Sequence, residues 1–277
     1  MVPGILLPAL LGKCGCIFCS EGGSGDFAGD RTHPIHQQIE EQKARLSPKF
    51  PATHFIAYFQ AYTNTYAPIE HLRMIFTEAI THPDVAVLSV ATRPDCLGPD
   101  VLELLYELNQ IKPVWVELGL QTIHEETAAL IRRGYPLPVF DEAMEHLKAI
   151  GVETVVHAIL GLPGETPDMI LDTVRYINAS GADGIKLQLL HILKDTDLAA
   201  YYKDAGFHVL TLDEYVDLVI RCLEISRPDL VIHRLTGDGP KDLLIAPLWS
   251  QAKRQVLNTI HRELKNRDTY QGRLYTP

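Results

Sequence analysis

Three cysteines near the beginning of the chain have the spacing of a metal or redox site. Cys14, Cys16 and Cys19 fall within six positions, and a glycine-rich stretch, residues 22–29, follows them. The chain has five cysteines in 277 residues, and an odd number with three clustered does not suit a disulfide framework. In a cytosolic chain such a cluster indicates metal or redox chemistry, whereas Cys96 and Cys222 are isolated and predict ordinary packing. A zinc site is the weaker alternative, since no second pair of ligands follows at metal-site spacing.

The composition is that of an ordinary globular chain with an excess of acidic residues. It is 46% hydrophobic and 22% charged, and its net charge of −10 disfavours the generic affinity for phosphate backbones that clustered Lys and Arg provide. Its apolar stretches are shorter than the ~18 to 20 residues that a membrane span needs, and the opening VPGILLPALL lacks the basic lead of a signal peptide. We therefore expect a cytoplasmic protein without a membrane partner.

The C-terminal segment departs from this acidic average. Residues 249–277 contain two acidic residues, Glu263 and Asp268, against six basic ones: Lys253, Arg254, Arg262, Lys265, Arg267 and Arg273. Two interpretations stay open for this pattern, a solvated helical face and a surface that contacts RNA, and the first is the plainer one.

The elements that must position these residues follow the rhythm of repeated βα units, because apolar runs alternate with amphipathic stretches. The predicted strands are 55–62, 85–91, 114–120, 152–161 and 184–193, and the predicted helices are Ile69–Thr81, Pro99–Asn109, Phe140–Ile150 and Pro167–Ala179. Asp100, Asp141 and Thr166 stand near helix starts, where short polar side chains cap free N–H groups. Near-continuous apolar strands favour a parallel sheet covered by helices. Beyond residue 210 the sequence predicts a helix over Asp213–Ile225, a strand over 230–235 and a long final helix.

Polar residues gather near the carboxyl ends of these strands, where barrels and open α/β sheets place their chemistry. Strand alternation puts Tyr58, Gln60 and Tyr62 on one face; Ser89, Ala91 and Arg93 on another; and Trp115, Glu117, Gly119 and Gln121 on a third. A barrel interior that holds Gln60, Glu117, His157 and Lys186 would be costly unless these groups meet a ligand or one another. They predict a polar pocket. An aldolase-like barrel with Lys186 as a Schiff-base nucleophile is an alternative.

Several segments, in this order, resemble the radical S-adenosylmethionine proteins of the YhcC/YtqA-like group. They are GCIFCSEGGSGDFAG, TRPDCL, VWVELGLQTIHEETAALI, ILGLPGET, GIKLQLLHILKDT, HRLTGDGPKDLLIAP and WS, and the match runs from about Gly12 to Gly272. More distantly, TRPD and VELGLQT resemble the radical domain of the Elongator catalytic subunit, which works on the wobble uridine of transfer RNA.

The resemblance implies a fold, two cofactors and a reaction. The fold is α/β, a partial, open (β/α)6-type TIM barrel over residues 1–210 with its first strand missing or distorted, and an α-rich extension over 211–277 with a basic final helix. Three thiolates would hold a 4Fe–4S cluster whose fourth iron binds S-adenosylmethionine, which is cleaved to a 5′-deoxyadenosyl radical. An electron donor such as a flavodoxin or ferredoxin is implied, and transfer RNA is the expected substrate. A small metabolite or a protein stays open as substrate.

The cysteines depart from the family pattern. Its members carry a strand and a cysteine in a CPN-type segment before the GGC-x-x-C pair, and residues 1–11 have neither. Cys16 and Cys19 match family ligands, whereas Cys14 stands where relatives usually have glycine. Either Cys14 is a substitute ligand, or the start of the chain is mis-assigned or lost to a frameshift. The rival function is a remnant that binds S-adenosylmethionine or a partner without radical chemistry.

The resemblance also assigns residues to S-adenosylmethionine, although it assigns none to catalysis. The expected cofactor-binding residues are Gln60, Thr92, Arg93, Asp95, Glu117, Gln121, Gly161, Pro163 and Gly164. The glycines of residues 161–166 would let backbone approach the adenine. Residues 233–240, HRLTGDGP, are the segment most specific to the family, and we expect them near the substrate mouth.

Overall fold

The computed structural model describes residues 15–20, 29–30, 32–48, 51–237 and 239–277. Cys14 and most of the glycine-rich stretch 22–29 lie outside the described residues, as does the segment in which the first strand was predicted to be missing. The chain forms two compact units. Of the described residues, the first unit comprises 29–30, 32–48, 51–119 and 138–154, and the second comprises 15–20, 120–137, 155–237 and 239–277. The predicted domain boundary near residue 210 stays a prediction.

Six strands form one sheet in the order β1-β2-β3-β4-β5-β7, and β6 pairs with β8 in a separate antiparallel ribbon. The strands are β1 (Phe55–Phe59), β2 (Val85–Thr92), β3 (Val114–Gln121), β4 (Glu153–Leu160), β5 (Gly184–Leu189), β6 (Ile192–Leu193), β7 (Val231–Arg234) and β8 (Leu244–Ala246). The pairs β1·β2, β2·β3, β4·β5 and β5·β7 are parallel. Carboxyl ends therefore gather at one edge of each run of strands, which is where α/β proteins place ligands.

The first unit packs its helices on β1, β2 and most of β3. These helices are α1 (Ile35–Leu46), α2 (Ile69–Thr81), α3 (Pro99–Asn109) and α5 (Leu137–Ala149). The buried residues of α2 recur at helical spacing: Leu72, Ile75, Phe76, Ala79 and Ile80. Phe76 meets Phe59 of β1 edge to face, with ring centroids 5.0 Å apart. This apolar face holds the end of β1 in place.

The second unit carries β4, β5 and β7 with helices α4 (Glu125–Leu130), α6 (Pro167–Ala179), α7 (Asp197–Ala205), α8 (Leu212–Ile225) and α9 (Lys253–Asn266). Thr166 caps α6 as predicted, since its hydroxyl accepts the Met169 N–H. Thr211 and Glu214 form a capping box at the start of α8. Among the described residues, none of the helices is long and apolar enough to span a membrane.

Two predicted strands are too long. β1 ends at Phe59 rather than residue 62, because the side-chain amide of Asn64 donates to the carbonyls of Phe59 and Ala91 and closes the ladder there. Tyr62 then has a left-handed backbone with φ 58°, so Gln60 and Tyr62 leave the alternation of the strand. The predicted strand 184–193 breaks after Leu189 into β5 and β6.

One predicted helix cap is wrong. α5 begins at Leu137, three residues before the predicted start, so Asp141 lies inside the helix. Asp100 is the second residue of α3, and its carboxylate accepts the N–H of Val101 at 2.9 Å, as predicted for a polar residue near the helix start. The proline at the second position of α5 marks the start of that helix more accurately than Asp141 does.

Candidate functional site

The turn that carries Cys16 and Cys19 brings their two thiols into contact. The Cys19 N–H donates to the Cys16 carbonyl at 3.2 Å, which closes a tight turn. A hydrogen bond between the two thiols raises the pKa of Cys19 well above its ordinary value. Cys16 is half-buried and Cys19 is exposed. Two contacting thiols with one open side are suited to a soft metal ion or cluster.

Ile17 fixes this turn from between the two cysteines. Its N–H donates to the Ile131 carbonyl at 3.2 Å, and its carbonyl accepts the Leu198 N–H at 2.8 Å. Its side chain is 5% exposed and belongs to a cluster of buried residues: Ile131, Ile159, Leu162, Leu190, Ile192 and Leu198. The turn is thus held in place by the backbone and side chain of Ile17. These contacts do not involve the sulfur atoms of the two cysteines.

In the first unit, Glu117 forms the centre of a second polar group. Its side chain is buried, with the residue 3% exposed, and its two carboxylate oxygens accept the hydroxyls of Tyr58 at 2.6 Å and Ser89 at 2.8 Å. Strand alternation placed Tyr58, Ser89 and Glu117 on separate strand faces, and the contacts show that the three side chains meet. Both carboxylate oxygens of this buried side chain therefore have a hydroxyl partner, which offsets the cost of burying them.

Two residues of the TRPD segment, Arg93 and Asp95, form a bidentate ion pair with each other. The Arg93 Nε donates to the Asp95 Oδ1 at 2.9 Å, and its Nη2 donates to Oδ2 at 2.6 Å. The Thr65 hydroxyl donates to the Cys96 carbonyl at 2.6 Å, so the hydrogen of the Thr92 hydroxyl is the one that joins the two threonines. Thr92 therefore offers a ligand no hydroxyl proton, whereas the planar Arg93–Asp95 pair presents an oriented guanidinium.

Gln121 is the predicted site residue with an unmet bonding need. Its side-chain Oε1 is buried and has no hydrogen-bond partner among the described residues. Its backbone is left-handed, with φ 67°, at the last position of β3. A strained non-glycine residue and an orphaned buried acceptor are both features of ligand sites. Gln60 is half-buried one residue beyond the end of β1.

The GLPGET turn links β4 to α6 through two left-handed glycines. Gly161 has φ 88°, and a Cβ there would lie 3.0 Å from Leu210, so packing as well as conformation requires glycine. Gly164 has φ 83° and open space where a Cβ would stand, and Pro163 between them is buried. The backbone at Gly164 is therefore accessible to a ligand.

Glu165, in the same turn, was missed by the sequence analysis. Its carboxylate accepts the hydroxyl of Thr122, a buried residue directly after β3. Burial raises the pKa of Glu165, and the Thr122 hydrogen bond opposes that shift. Only the pairing of two loops distant in sequence reveals this contact.

His157 and Lys186 lie opposite each other in the register of β4 and β5. Lys186 is 6% exposed, and the His157 Nδ1 accepts the side-chain amide of Gln188 at 3.0 Å. That amide donates, so the proton of a neutral His157 is on Nε2. His157 and Lys186, the predicted polar residues of the second unit, are thus neighbours on adjacent strands. Glu117 belongs to the first unit.

Within residues 233–240, Gly237 packs against His191, and the predicted position of the segment near a substrate mouth stays a prediction. A Cβ on Gly237 would lie 2.7 Å from Cε1 of His191, so this glycine makes room for the imidazole. The Ser250 hydroxyl donates to the Pro247 carbonyl at 2.8 Å, and it therefore accepts from the His191 Nε2–H at 3.1 Å. The glycine-rich loop is shaped around a histidine two residues past the carboxyl end of β5.

A second group of potential metal ligands lies in the first unit. His36, Glu40 and His82 have ligand atoms within 4.8 Å of one another. The His82 Nδ1 accepts the Asp84 N–H at 3.2 Å, so the ring proton is on Nε2 and points to Glu40 at 3.0 Å. Glu40 is also paired with Lys43 at 2.7 Å. With its proton on Nε2, His82 has no lone pair for a metal, and the group is a hydrogen-bonded surface network.

The described residues fit part of the cofactor site that the resemblance implies. The contacting thiols of Cys16 and Cys19 suit iron in a cluster. The orphaned Gln121 Oε1 suits an N–H or O–H donor such as a nucleoside offers. Cys14 lies outside the described residues, so its role as a third ligand stays a prediction.

Comparison with known proteins identifies what the chain is similar to. A profile of the Radical SAM superfamily matches residues 14–177, and one of the Radical_SAM C-terminal domain matches residues 182–266. The chain is 46% identical to YtqA of Bacillus subtilis (strain 168) over 261 residues, which cover 94% of this chain and 81% of YtqA. It is 34% identical to YhcC of Escherichia coli (strain K12) over 243 residues, covering 87% of this chain and 77% of YhcC. The predicted resemblance to this group is confirmed.

Two further proteins are similar over a smaller share of their length. The tRNA uridine(34) acetyltransferase of Dehalococcoides mccartyi (strain CBDB1) is 24% identical over 184 residues, covering 64% of this chain and 39% of that protein. The structure of an N-terminally deleted Elp3 from archaeal Methanocaldococcus infernus has a TM-score of 0.71 at 18% identity, covering 86% of this chain and 59% of that one. The predicted α/β fold with a partial, open (β/α)6-type TIM barrel is confirmed.

Proposed function

This chain belongs to the Radical SAM superfamily and, within it, to the family of YtqA and YhcC, and we propose that it is a radical S-adenosylmethionine enzyme. Cys16 and Cys19 are two of three thiolate ligands of a 4Fe–4S cluster, and Cys14 or a cysteine from outside residues 1–277 is the third. A cluster held by these cysteines would supply the binding site and the electron for reductive cleavage of S-adenosylmethionine. A flavodoxin- or ferredoxin-type protein is the electron donor.

The turn geometry is the single observation that carries this proposal. Ile17 is held on both sides by backbone hydrogen bonds and is 5% exposed, which leaves Cys16 and Cys19 in contact and Cys19 open to solvent. A structural thiol pair would be expected to bury its sulfur atoms or to bond them to each other. Two reduced thiols presented in this way are a ready pair of metal ligands.

The other site residues bind and orient S-adenosylmethionine in this proposal. They are Gln60, Thr92, Arg93, Asp95, Glu117, Gln121, Gly161, Pro163 and Gly164. Gln121 accepts a nucleoside N–H or O–H with its unpartnered Oε1, and Gly164 offers backbone on its open side. Arg93 is oriented by Asp95, and Thr92 contributes shape rather than a donor. These residues hold the cofactor and exclude water, and the chemistry itself is the cofactor's.

Anaerobic reconstitution with iron and sulfide tests the proposal. We expect the wild type to take up iron and sulfide with the electron paramagnetic resonance signal of a reduced 4Fe–4S cluster, and to form 5′-deoxyadenosine from S-adenosylmethionine. Cys16→Ser and Cys19→Ser should lose both, while Cys96→Ser, a cysteine outside the turn, should keep both. Cys14→Ser decides whether Cys14 is the third ligand. Thermal protection by S-adenosylmethionine in a chain that never holds a cluster would instead identify the non-catalytic remnant.

We propose transfer RNA, modified at its wobble uridine, as the substrate. The name of the D. mccartyi relative assigns that protein to uridine 34 of transfer RNA. In this chain Lys253, Arg254 and Arg262 line one open groove at the start of α9, together with Asn258. Arg267 is occupied by an ion pair with Asp217 at 2.7 Å. Asp213 also lines the groove and Arg262 is paired with Glu263 at 3.4 Å, so two carboxylates offset part of the positive charge that the groove offers to a phosphate backbone.

The substrate proposal is tested by removing positive charges from the C-terminal segment and, in a control variant, from other parts of the chain. Replacing Lys253, Arg254, Arg262 and Lys265 with glutamine should abolish transfer RNA binding and leave protection by S-adenosylmethionine unchanged. Binding to the wild type should weaken steeply as salt rises. The matched control replaces four exposed cations on other elements, Arg45, Arg175, Lys203 and Lys241, with glutamine. Equal losses in both quadruple variants would mean that net charge, rather than this groove, binds the nucleic acid, and would refute the proposal.

A further inference from the structure

Arg133 is a buried cation that the proposed function does not use. Its side chain is 2% exposed, and it donates to the carbonyls of Tyr135 at 3.1 Å and Thr122 at 2.5 Å and to the Glu125 carboxylate at 2.9 Å. Its guanidinium also lies over the Tyr135 ring, 4.7 Å from the centroid. A buried arginine with three acceptors from three directions fixes the backbone that carries it.

The neighbouring Arg132 reaches in another direction. Its backbone is left-handed, with φ 56°, which turns the chain at the end of α4. Its guanidinium forms an ion pair with the carboxylate of Asp197, the first residue of α7, and both side chains are about half exposed. Thr196 caps this helix, since its hydroxyl accepts the Ala199 N–H at 3.2 Å and donates to the Leu193 carbonyl at 2.7 Å. One arginine is therefore internal to its loop and the other joins two elements.

The two elements so joined are the ones that hold Ile17. The carbonyl that accepts the Ile17 N–H belongs to Ile131, the residue before Arg132, and the N–H that binds the Ile17 carbonyl belongs to Leu198, the residue after Asp197. We propose that Arg132 and Arg133 are positioning residues for the two cysteines: Arg133 fixes the loop that presents the Ile131 carbonyl, and Arg132 ties it through Asp197 to the helix that presents the Leu198 N–H. The spacing of the two thiols thus depends on side chains that touch neither of them.

This inference rests on the proposed function for the identity of the natural ligand, and its test does not need that ligand. Phenylarsine oxide binds two neighbouring thiols, forming two As–S bonds and releasing one water without any change of oxidation state. Its affinity for the reduced chain therefore reports how well Cys16 and Cys19 are held at chelating distance. A Cys14→Ser background confines the reagent to that pair.

Five variants are compared in this background. Arg132→Asn tolerates the left-handed backbone and removes the ion pair, and Asp197→Asn removes it from the other side. Each should weaken phenylarsine oxide binding about two- to fivefold, the range of an exposed ion pair, and the double variant should be no weaker than either single one. Arg133→Gln should weaken it about tenfold or more, because hydrogen bonds from a buried charge are lost. Arg132→Lys should restore most of the affinity.

Arg175→Asn is the matched control, since it removes an exposed ion pair with Asp172 on α6. It should leave the affinity unchanged. Alkylation of the buried Cys222 by maleimide reports global unfolding, so a variant that fails to fold is recognised, and the Arg132 and Asp197 variants then decide the question. Equal affinity for wild type, Arg132→Asn and Asp197→Asn, or losses that simply add in the double variant, would overturn the inference. If the wild type binds the arsenical and the variants show these losses, but the wild type holds no iron, the cluster is refuted and the positioning role of Arg132 and Arg133 stands.

Discussion

The two candidate ligand groups are held in opposite ways. In the second unit, Cys16 and Cys19 are positioned through Ile17, a neighbour that is buried while the thiols keep an open side. In the first unit, Glu117 is itself buried and is held directly by the hydroxyls of Tyr58 and Ser89. The thiols are therefore positioned by contacts that leave their sulfur atoms open, whereas the Glu117 carboxylate is positioned by hydrogen bonds to its own oxygens.

The largest expected effect comes from truncating Ile17, the buried residue through which Cys16 and Cys19 are positioned. Ile17→Ala should lower the free energy of unfolding by about 2–5 kcal/mol, because it removes a buried side chain and leaves a cavity among the residues that hold the turn. Ile56→Ala deletes the same atoms from a side chain that is 48% exposed and is the matched control. Chemical denaturation measures both. A similar cost at the two positions would show that Ile17 is not an anchor.

Tyr58→Phe breaks the direct arrangement instead. It removes one hydroxyl from a buried carboxylate and should lower the free energy of unfolding by about 1.5–3 kcal/mol, the worth of a hydrogen bond to a charged group. Tyr106→Phe, on an exposed side chain of α3, is the control and should cost nothing measurable. If Tyr58→Phe is also neutral, then Glu117 is held by its other contacts and the contrast between the two groups is weaker than the geometry indicates.

The same contrast explains what could be read from the sequence. Most strands and helices were predictable because their apolar periodicity is strong, although the helices Ile35–Leu46, Glu125–Leu130 and Asp197–Ala205 were not predicted. Alternation placed Tyr58, Ser89 and Glu117 on separate strand faces, and only the structure shows that these side chains meet. The ends of elements were not predictable, since Asn64 terminates β1 through carbonyls on two strands. The positioning role of Arg132 and Arg133 could not be predicted from the sequence, because charged residues in a loop follow no periodic pattern and the partner of Arg132 is remote in sequence. The family motif located the cysteines, but only the structure identified what holds them.

A third way of shaping a site, by making room, occurs in the loop around His191. Gly237→Ala should lower the free energy of unfolding by about 1–3 kcal/mol, because its Cβ would meet the imidazole at 2.7 Å and the core around it must shift. In the background of His191→Ala the same substitution should cost little, so a double-mutant cycle measures the contact. Gly164→Ala is the comparison within the unit, since space is open there and only the left-handed backbone opposes the change. Additive costs in the cycle would contradict a role for Gly237 in seating His191.

The smallest expected effect is the pH dependence of stability that the half-buried carboxyl group of Glu165 causes. Burial raises the pKa of Glu165 in the folded chain, so folding favours its protonated form. The stability from this group is therefore fully present below the ordinary carboxyl range and is lost as pH rises through the raised value. Glu165→Gln keeps an acceptor for the Thr122 hydroxyl and removes the ionisation, so it should match the wild type near pH 4 and be more stable at pH 8. Thr122→Val should enlarge the pH dependence of the wild-type carboxyl, since its hydroxyl favours the charged form. Denaturation curves at pH 4, 6 and 8 measure all three chains, and a wild type that gains stability over Glu165→Gln as pH rises would show that the surroundings of Glu165 stabilise its charged carboxylate instead.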